Sequence, residues 1–261
     1  MTRFHLALSL LVIAGLLGLS EPAVAQYSYD LSDEPAPEDT LKESETVDVL
    51  AEPAKDPTEL VVERAITWTR RMLFRGFPDF STTGTWAAYQ ETDWRKAAGS
   101  FGPVKARVIF NYLGATSWLG EPAEWMQVVY RTLDTLRITV ELDLLVSGGE
   151  KIEKIHRALY RIGKGDLAGA DFTVPEDKLD YDRVDVPKAG EQTQLRMYSG
   201  TYEATIFEGT GTDAAKVYAY RASGLPPLGL AVLGYGDEAL TISSSGGDAE
   251  PRFDAPSPTI R

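Results

Sequence analysis

The sequence predicts a mainly β domain of the α+β class, an antiparallel sheet with one or two covering helices. Three observations carry that expectation. From residue 80 onward apolar side chains recur with a period of two. The clearest case is residues 136–146, where Leu136, Ile138, Val140, Leu142, Leu144 and Val146 alternate with Arg137, Thr139, Glu141 and Asp143. Such alternation calls for one buried and one wet face, the habit of antiparallel sheet. Gly, Pro and Asp clusters cut the same region into short segments. Helical spacing is confined to two stretches, residues 57–75 and 150–160.

Taken in order, the chain opens with Thr2-Arg3, an apolar run from Leu6 to Leu19 and the small residues Ala23-Val24-Ala25. These are the parts of a cleaved secretory signal over residues 1–25, and they predict a periplasmic or extracellular protein. Residues 26–60 then hold eleven acidic side chains against Lys42 and Lys55, a net of −9 out of −13 for the whole chain. Pro35, Pro37, Pro53 and Pro57 punctuate this stretch, and no aromatic follows Tyr29 in it. Too little apolar surface is present to offset the entropy of ordering, so residues 26–56 read as an acidic disordered tether.

Asp56-Pro57-Thr58-Glu59 is a helix start with a capping Asp, Pro at the first helical position and an acid in the first turn. Val62, Ala65, Ile66, Thr69, Met72 and Leu73 follow at helical spacing, and Gly76 with Pro78 ends the run. The other face carries Arg64, Arg70, Arg71 and Arg75. It would suit peripheral contact with an anionic membrane surface, but Glu59, Glu63 and the small apolar bulk favour a packing helix with solvated arginines. Strands are expected at 85–89, 104–112, 124–131 and 136–146. Ile152, Ile155, Leu159 and Ile162 then suggest a second short helix that covers a sheet face. Residues 171–190, rich in Asp and Pro, read as a crossing loop. Strands resume at 194–198, 201–207, 216–221, 229–235 and 239–244, completing a single domain over 57–250, with 251–261 a flexible tail.

Several chemistries are excluded by what is missing. There is no Cys, so thiolate and redox chemistry and Cys-based zinc sites are ruled out. Residues 61–261 are close to charge balance, which does not suit nucleic acid as a partner. His156, the one histidine after the signal, sits between Lys154 and Arg157 and reads as a surface residue. No Gly-x-Ser-x-Gly elbow surrounds any serine. The acids Asp171, Glu176, Asp177, Asp180, Asp182 and Asp185 lack the spacing and turn glycine of a calcium loop. Glu141 and Asp143 fall on the wet side of their strand, where a carboxylate pair would not be tuned for catalysis. No cofactor, no metal and no catalytic residue is expected.

Two stretches together carry a resemblance. One is Gly84-Thr85-Trp86-Ala87-Ala88-Tyr89. The other is Gly200-Thr201-Tyr202-Glu203-Ala204 followed by Val217-Tyr218-Ala219-Tyr220, Leu225-Pro226-Pro227-Leu228-Gly229-Leu230 and Gly247-Asp248-Ala249. Over residues 80–253 this resembles a group of exported bacterial proteins of unknown function whose sheets are similar to the LolA/LolB-type lipoprotein-carrier half-barrel. The resemblance implies a curved antiparallel sheet or half-barrel and offers no catalytic residues. A curved sheet leaves its concave face to a helix or to a ligand. If the helices leave a gap, Trp86, Trp125, Leu136, Ile138, Val140, Leu142, Leu144 and Tyr202 would line an apolar pocket. The leading expectation is therefore an exported envelope protein that binds or carries an acyl-chain ligand such as lipid or lipoprotein. The alternative is a structural or interaction module that docks an envelope protein, and the third reading is a carboxylate-based hydrolase.

Overall fold

In the computed structural model, the described residues are 55–95, 100–149, 152–172, 192–197, 199–210 and 215–256. The signal segment, nearly all of the acidic tether, most of the 171–190 loop with its candidate calcium ligands other than Asp171, and residues 257–261 lie outside them.

The chain enters the described region through α1 (Pro57–Arg75), started as its sequence requires: Asp56 Oδ1 accepts from the Thr58 N–H at 2.8 Å, and Pro57 occupies the first turn. Eleven strands follow: β1 (Trp86–Arg95), β2 (Ser100–Trp118), β3 (Glu121–Thr132), β4 (Thr139–Gly148), β5 (Ile152–Ile162), β6 (Ala168–Gly169), β7 (Gln192–Met197), β8 (Gly200–Thr210), β9 (Lys216–Ala222), β10 (Leu230–Tyr235) and β11 (Glu238–Gly246). They form one antiparallel sheet in the order β6-β5-β4-β3-β2-β1-β11-β10-β9-β8-β7, which does not close into a barrel. Two meanders, β1–β6 and β7–β11, are thus joined along the β1–β11 pair. The expected mainly β fold with a covering helix is present.

Strand register defines an inner face, toward α1, and an outer face. On the inner face Tyr89, Val108, Tyr130 and Val140 stand in one row across β1 to β4. They share a packed cluster with Val62, Ala65, Trp68, Met72 and Leu73 of the helix. Each large apolar side chain buried this way contributes roughly 1.5–3 kcal/mol. On the outer face the matching row is Trp86, Asn111, Gln127, Asp143 and Leu159.

The second covering helix is not formed; residues 152–162 are strand β5. The reason lies in two bulges. Gly148 pairs with Ile152, Ser147 with Lys154, Val146 with Ile155, Leu145 with Arg157 and Leu144 with Ala158, so β5 carries an extra residue at 153 and again at 156. Each extra residue shifts the alternation by one. Ile152, Ile155 and Ala158 therefore reach the inner face at intervals of three, and a bulged strand imitates a helical period.

The Leu225–Gly229 turn also has a structural role beyond returning the chain to the sheet. The Phe77 N–H donates to Leu228 O at 2.8 Å and the Asp79 N–H to Pro227 O at 2.9 Å, which docks the segment after α1. Gly229 has φ 63°, and a Cβ there would lie 2.8 Å from Phe77 O. Only glycine fits.

Candidate functional site

The inner face is where a ligand would have to sit, and α1 fills much of it. Val140, Leu142 and Leu144 have no solvent exposure and belong to the cluster that includes Trp68 and Met72. Ile138 packs at the margin of that cluster. Leu136 stands outside β4, 58% exposed, in a turn where Asp134 Oδ1 accepts from the Leu136 and Arg137 N–H groups. Three of the pocket candidates are thus core, one is rim and one is surface.

The two tryptophans belong to the outer face. Trp125 Nε1 donates to Asp143 Oδ1 at 2.7 Å, and Trp86 Nε1 donates to Asp248 Oδ1 at 2.6 Å. The Trp86 ring lies flat on Gly246, where a Cβ would come within 2.7 to 2.8 Å of three ring atoms. Tyr202 is half-buried against the core, its hydroxyl donating to Ser199 Oγ at 2.9 Å. The structure therefore does not bring the eight candidates into one cavity.

Three arginines of α1, expected on a solvated face, turn toward the sheet. The Arg64 Nε donates to Glu91 Oε1 and its Nη2 to Glu238 Oε1, each at 2.5 Å. Glu91 is wholly buried on β1, and its Oε2 accepts from the Tyr130 hydroxyl at 2.6 Å. Burial opposes the charge on Arg64, but the bonds and charges of Glu91 and Glu238 outweigh it and hold the guanidinium above its ordinary pKa. Arg71 stacks 3.6 Å from the Tyr235 ring centroid, and Arg75 lies 5.0 Å from the same ring. One end of the helix is tied by charge, the rest by apolar and aromatic contact.

Beyond the C-terminal end of the helix, the described residues of β7, β8 and β9 border a cleft. Phe77 packs on Phe207 of β8 with ring centroids 4.7 Å apart, and Arg221 of β9 lies over the Phe77 ring at 4.7 Å. Next to them is a cleft of about 600 Å³ lined by Gln192, Thr193, Gln194, Glu203, Ala204, Thr205, Phe207, Arg221 and Ser223. Its floor is apolar at Phe207 and Ala204, and its sides are polar and charged. Nothing in the sequence marked this place, because Gln, Thr and Glu at alternate strand positions read as an ordinary wet face.

The outer face is not wet where the alternation expected it to be. Glu141 is 6% exposed and Asp143 only 1%. Asp143 accepts from Trp125, from Gln127 Nε2 at 3.1 Å and from Arg157. Glu141 accepts from Arg161 Nε at 2.7 Å and from Arg252 Nη1 at 2.8 Å. Arg252 arrives on the segment that was expected to be a flexible tail. Residues 249–252 instead form a strap across the outer face: the Ala249 N–H donates to Gly84 O, the Arg252 N–H to Gln127 Oε1 at 2.7 Å, and Arg161 Nη2 to Arg252 O at 2.9 Å. The two carboxylates are held by guanidinium groups, an arrangement that locks the face together.

His156 is not a surface residue either. It is the bulged residue of β5, its side chain 3% exposed, with Nε2 3.0 Å from Ser147 Oγ and Nδ1 3.5 Å from Glu121 Oε2. Lys154 Nζ donates to the same Glu121 oxygen at 2.8 Å, and that bond, with the lysine's charge, holds the carboxyl below its usual range. Among the described residues no group of three or more potential ligands could hold a metal ion.

The chain matches no protein-family model and is not detectably similar to any curated protein.

Proposed function

We propose that the protein is an exported envelope protein whose helix-covered sheet face binds or carries an acyl-chain amphiphile, a lipid or the lipid portion of a lipoprotein. The observation that carries this reading is an apolar interior with a polar cleft close by. The interior lies under α1, Phe77 after the helix packs on Phe207, and beside that pair is a cleft of about 600 Å³ with charged sides. A surface that is apolar at one end and polar at the other fits a molecule built the same way. Displacement of α1 would admit the chain, since Val62, Ala65, Trp68, Met72 and Leu73 of that helix now fill much of the face. No helix among the described residues is long and apolar enough to cross a membrane.

Native mass spectrometry of protein isolated from a periplasm without detergent, followed by organic extraction, tests the proposal. A co-purifying phospholipid or acyl chain supports it. A bare polypeptide mass that also ignores added lipid overturns it. The complete burial of Val140, Leu142 and Leu144 favours a second reading, an interaction module with a sealed interior. In that case β7, at the end of the sheet, is the edge on which an envelope protein would add a strand.

A further inference from the structure

The outer face holds a cleft of its own, about 400 Å³, between the sheet and the strap. Register sets its sheet side. Trp86 stands across from Asn111, Ile109 across from Val129 in the next row, and Arg107 across from Arg131 in the row after that. These residues alternate along their strands with Ala87, Val108, Phe110, Val128 and Tyr130 of the packed interior, so they share the side away from α1. The strap crosses the first row. Its Ala249 N–H donates to Gly84 O, just before β1, and its Arg252 N–H donates to Gln127, the residue of β3 that pairs with Asn111. Glu250 lies between those two anchors and lines the cleft. The strap is therefore the back wall, Ile109 and Val129 are an apolar floor, Trp86 closes one side, and Arg107 stands exposed beyond the floor.

Asn111 is the informative side chain. It is 7% exposed and lines the cleft, yet its amide has no hydrogen-bond partner among the described residues. Buried polar groups are nearly always paired, and one left open points to a partner that the chain itself does not supply. The carboxamide presents an acceptor and a donor side by side. Two neighbouring hydroxyl groups match that spacing, one donating to Oδ1 and the other accepting from Nδ2. A pyranose carries such pairs around its rim and C–H groups on its faces. The cleft has the complementary layout, an apolar floor edged by the planar polar groups of Asn111, Glu250 and Arg107. Both signs of charge stand at that edge, which suits a neutral ligand rich in hydroxyls better than an ion.

We infer that the outer-face cleft binds an uncharged saccharide of one or two rings. A vicinal diol lies on Asn111, a ring face on Ile109 and Val129, and further hydroxyls reach Arg107 and Glu250. The site is on the opposite side of the sheet from α1 and does not depend on the acyl-chain reading.

Nitrogen–proton correlation spectra of the whole mature protein, with the Asn111 side-chain amide and the Trp86 indole N–H assigned, test this in titrations with cellobiose, maltose and, as a rival, trialanine. At least one of the two sugars is expected to shift both signals saturably, and trialanine to shift neither. Asn111→Leu should weaken that sugar about tenfold, read at the Trp86 indole, as the loss of two hydrogen bonds does. The same variant should leave the ligand-free Tm unchanged or higher, because no partner within the fold is lost. Arg107→Gln, an exposed change, should weaken the sugar about threefold or more. No saturable shift with either sugar overturns the site. Trialanine binding as tightly as the sugars overturns the saccharide and favours an extended peptide. An Asn111→Leu protein that binds sugar as the parent does, or whose ligand-free Tm falls, overturns the role given to Asn111.

Discussion

Removing Arg64 tests whether charge ties α1 to the sheet. Glu91 has no solvent exposure, and its two oxygens are engaged by Arg64 Nε at 2.5 Å and the Tyr130 hydroxyl at 2.6 Å. In Arg64→Met the apolar stem is kept and the tyrosine bond survives, but a buried carboxylate loses its cation partner. Breaking one side of a buried ion pair costs about 3–5 kcal/mol. The Arg64 side chain is itself 37% exposed, so water can reach the vacated position and the lower end of that range applies, about 3 kcal/mol. Loss of the exposed Glu238 contact adds less than about 1 kcal/mol, because Lys105 Nζ already lies 3.6 Å from that carboxylate. Glu91→Gln removes the buried charge while keeping an acceptor for Tyr130. The double variant should therefore be more stable than Arg64→Met alone, with a coupling energy of about 2 kcal/mol. Urea unfolding of the four proteins, followed by tryptophan emission and far-UV circular dichroism together, gives the cycle. If Arg64→Met costs less than about 0.5 kcal/mol and the two changes simply add, Glu91 is solvated in solution and the proposed tie does not exist.

Three further outcomes are expected. Ending the chain after Gly247 removes the strap, exposes Gln127 and takes Arg252 from the buried Glu141. Hydrogen exchange should quicken in β3, β4 and β5, with a loss of about 2–3 kcal/mol that Arg252→Ala reproduces in large part. Leu142→Ala, at a position with no exposure, should cost about 2–5 kcal/mol by thermal or urea unfolding, whereas Leu136→Ala, in its exposed turn, should change stability by less than about 0.5 kcal/mol. Asp134 is held below its usual pKa chiefly by the Thr132 hydroxyl; desolvation opposes that effect, and the Arg137 and Leu136 N–H groups add to it. A depressed carboxyl stabilises the fold above its unfolded pKa and loses that contribution as pH falls through its folded value. Amide exchange in the 132–138 turn should accordingly rise on acidification, and Asp134→Asn should remove that pH dependence.

The β-rich fold and its first helix could be read from the sequence because both rest on local signals. Asp56-Pro57 caps α1, and the alternation from Val140 to Val146 is that of a strand. What could not be read depends on contacts distant in sequence. Glu141 and Asp143 alternate with Val140, Leu142 and Leu144 as wet-face residues should. Their burial comes from Arg157 and Arg161 on the next strand and Arg252 more than a hundred residues later. Residues 152–162 misled for a different reason: two bulges place Ile152, Ile155 and Ala158 on one face at the interval a helix would use. The charged cleft was hidden because Gln192, Gln194, Glu203, Thr205 and Arg221 are individually ordinary. Only the pairing of β7 with β8 and β8 with β9 assembles them.

Geometry also explains why a cleft lies at β7–β9 and not along β4, where the apolar side chains are densest. Eleven strands spaced about 4.8 Å apart give a sheet roughly 48 Å across if laid flat. A helix of 19 residues is about 28 Å long. Wherever it lies, α1 cannot cover the whole inner face. Its packing contacts are with β3, β4 and β5, and Arg64 and Arg71 extend its reach to Glu91, Glu238 and Tyr235 on β1, β11 and β10. The apolar row on β4 is therefore consumed in holding the helix, and the part of the face that α1 does not cover falls toward β7. There the chain places Phe77 and Phe207 at the boundary and polar side chains beyond them. A fully apolar remainder would be a liability for self-association. One graded from apolar to charged stays wetted when empty and still offers an apolar floor to a chain, which is the combination a carrier of amphiphiles requires.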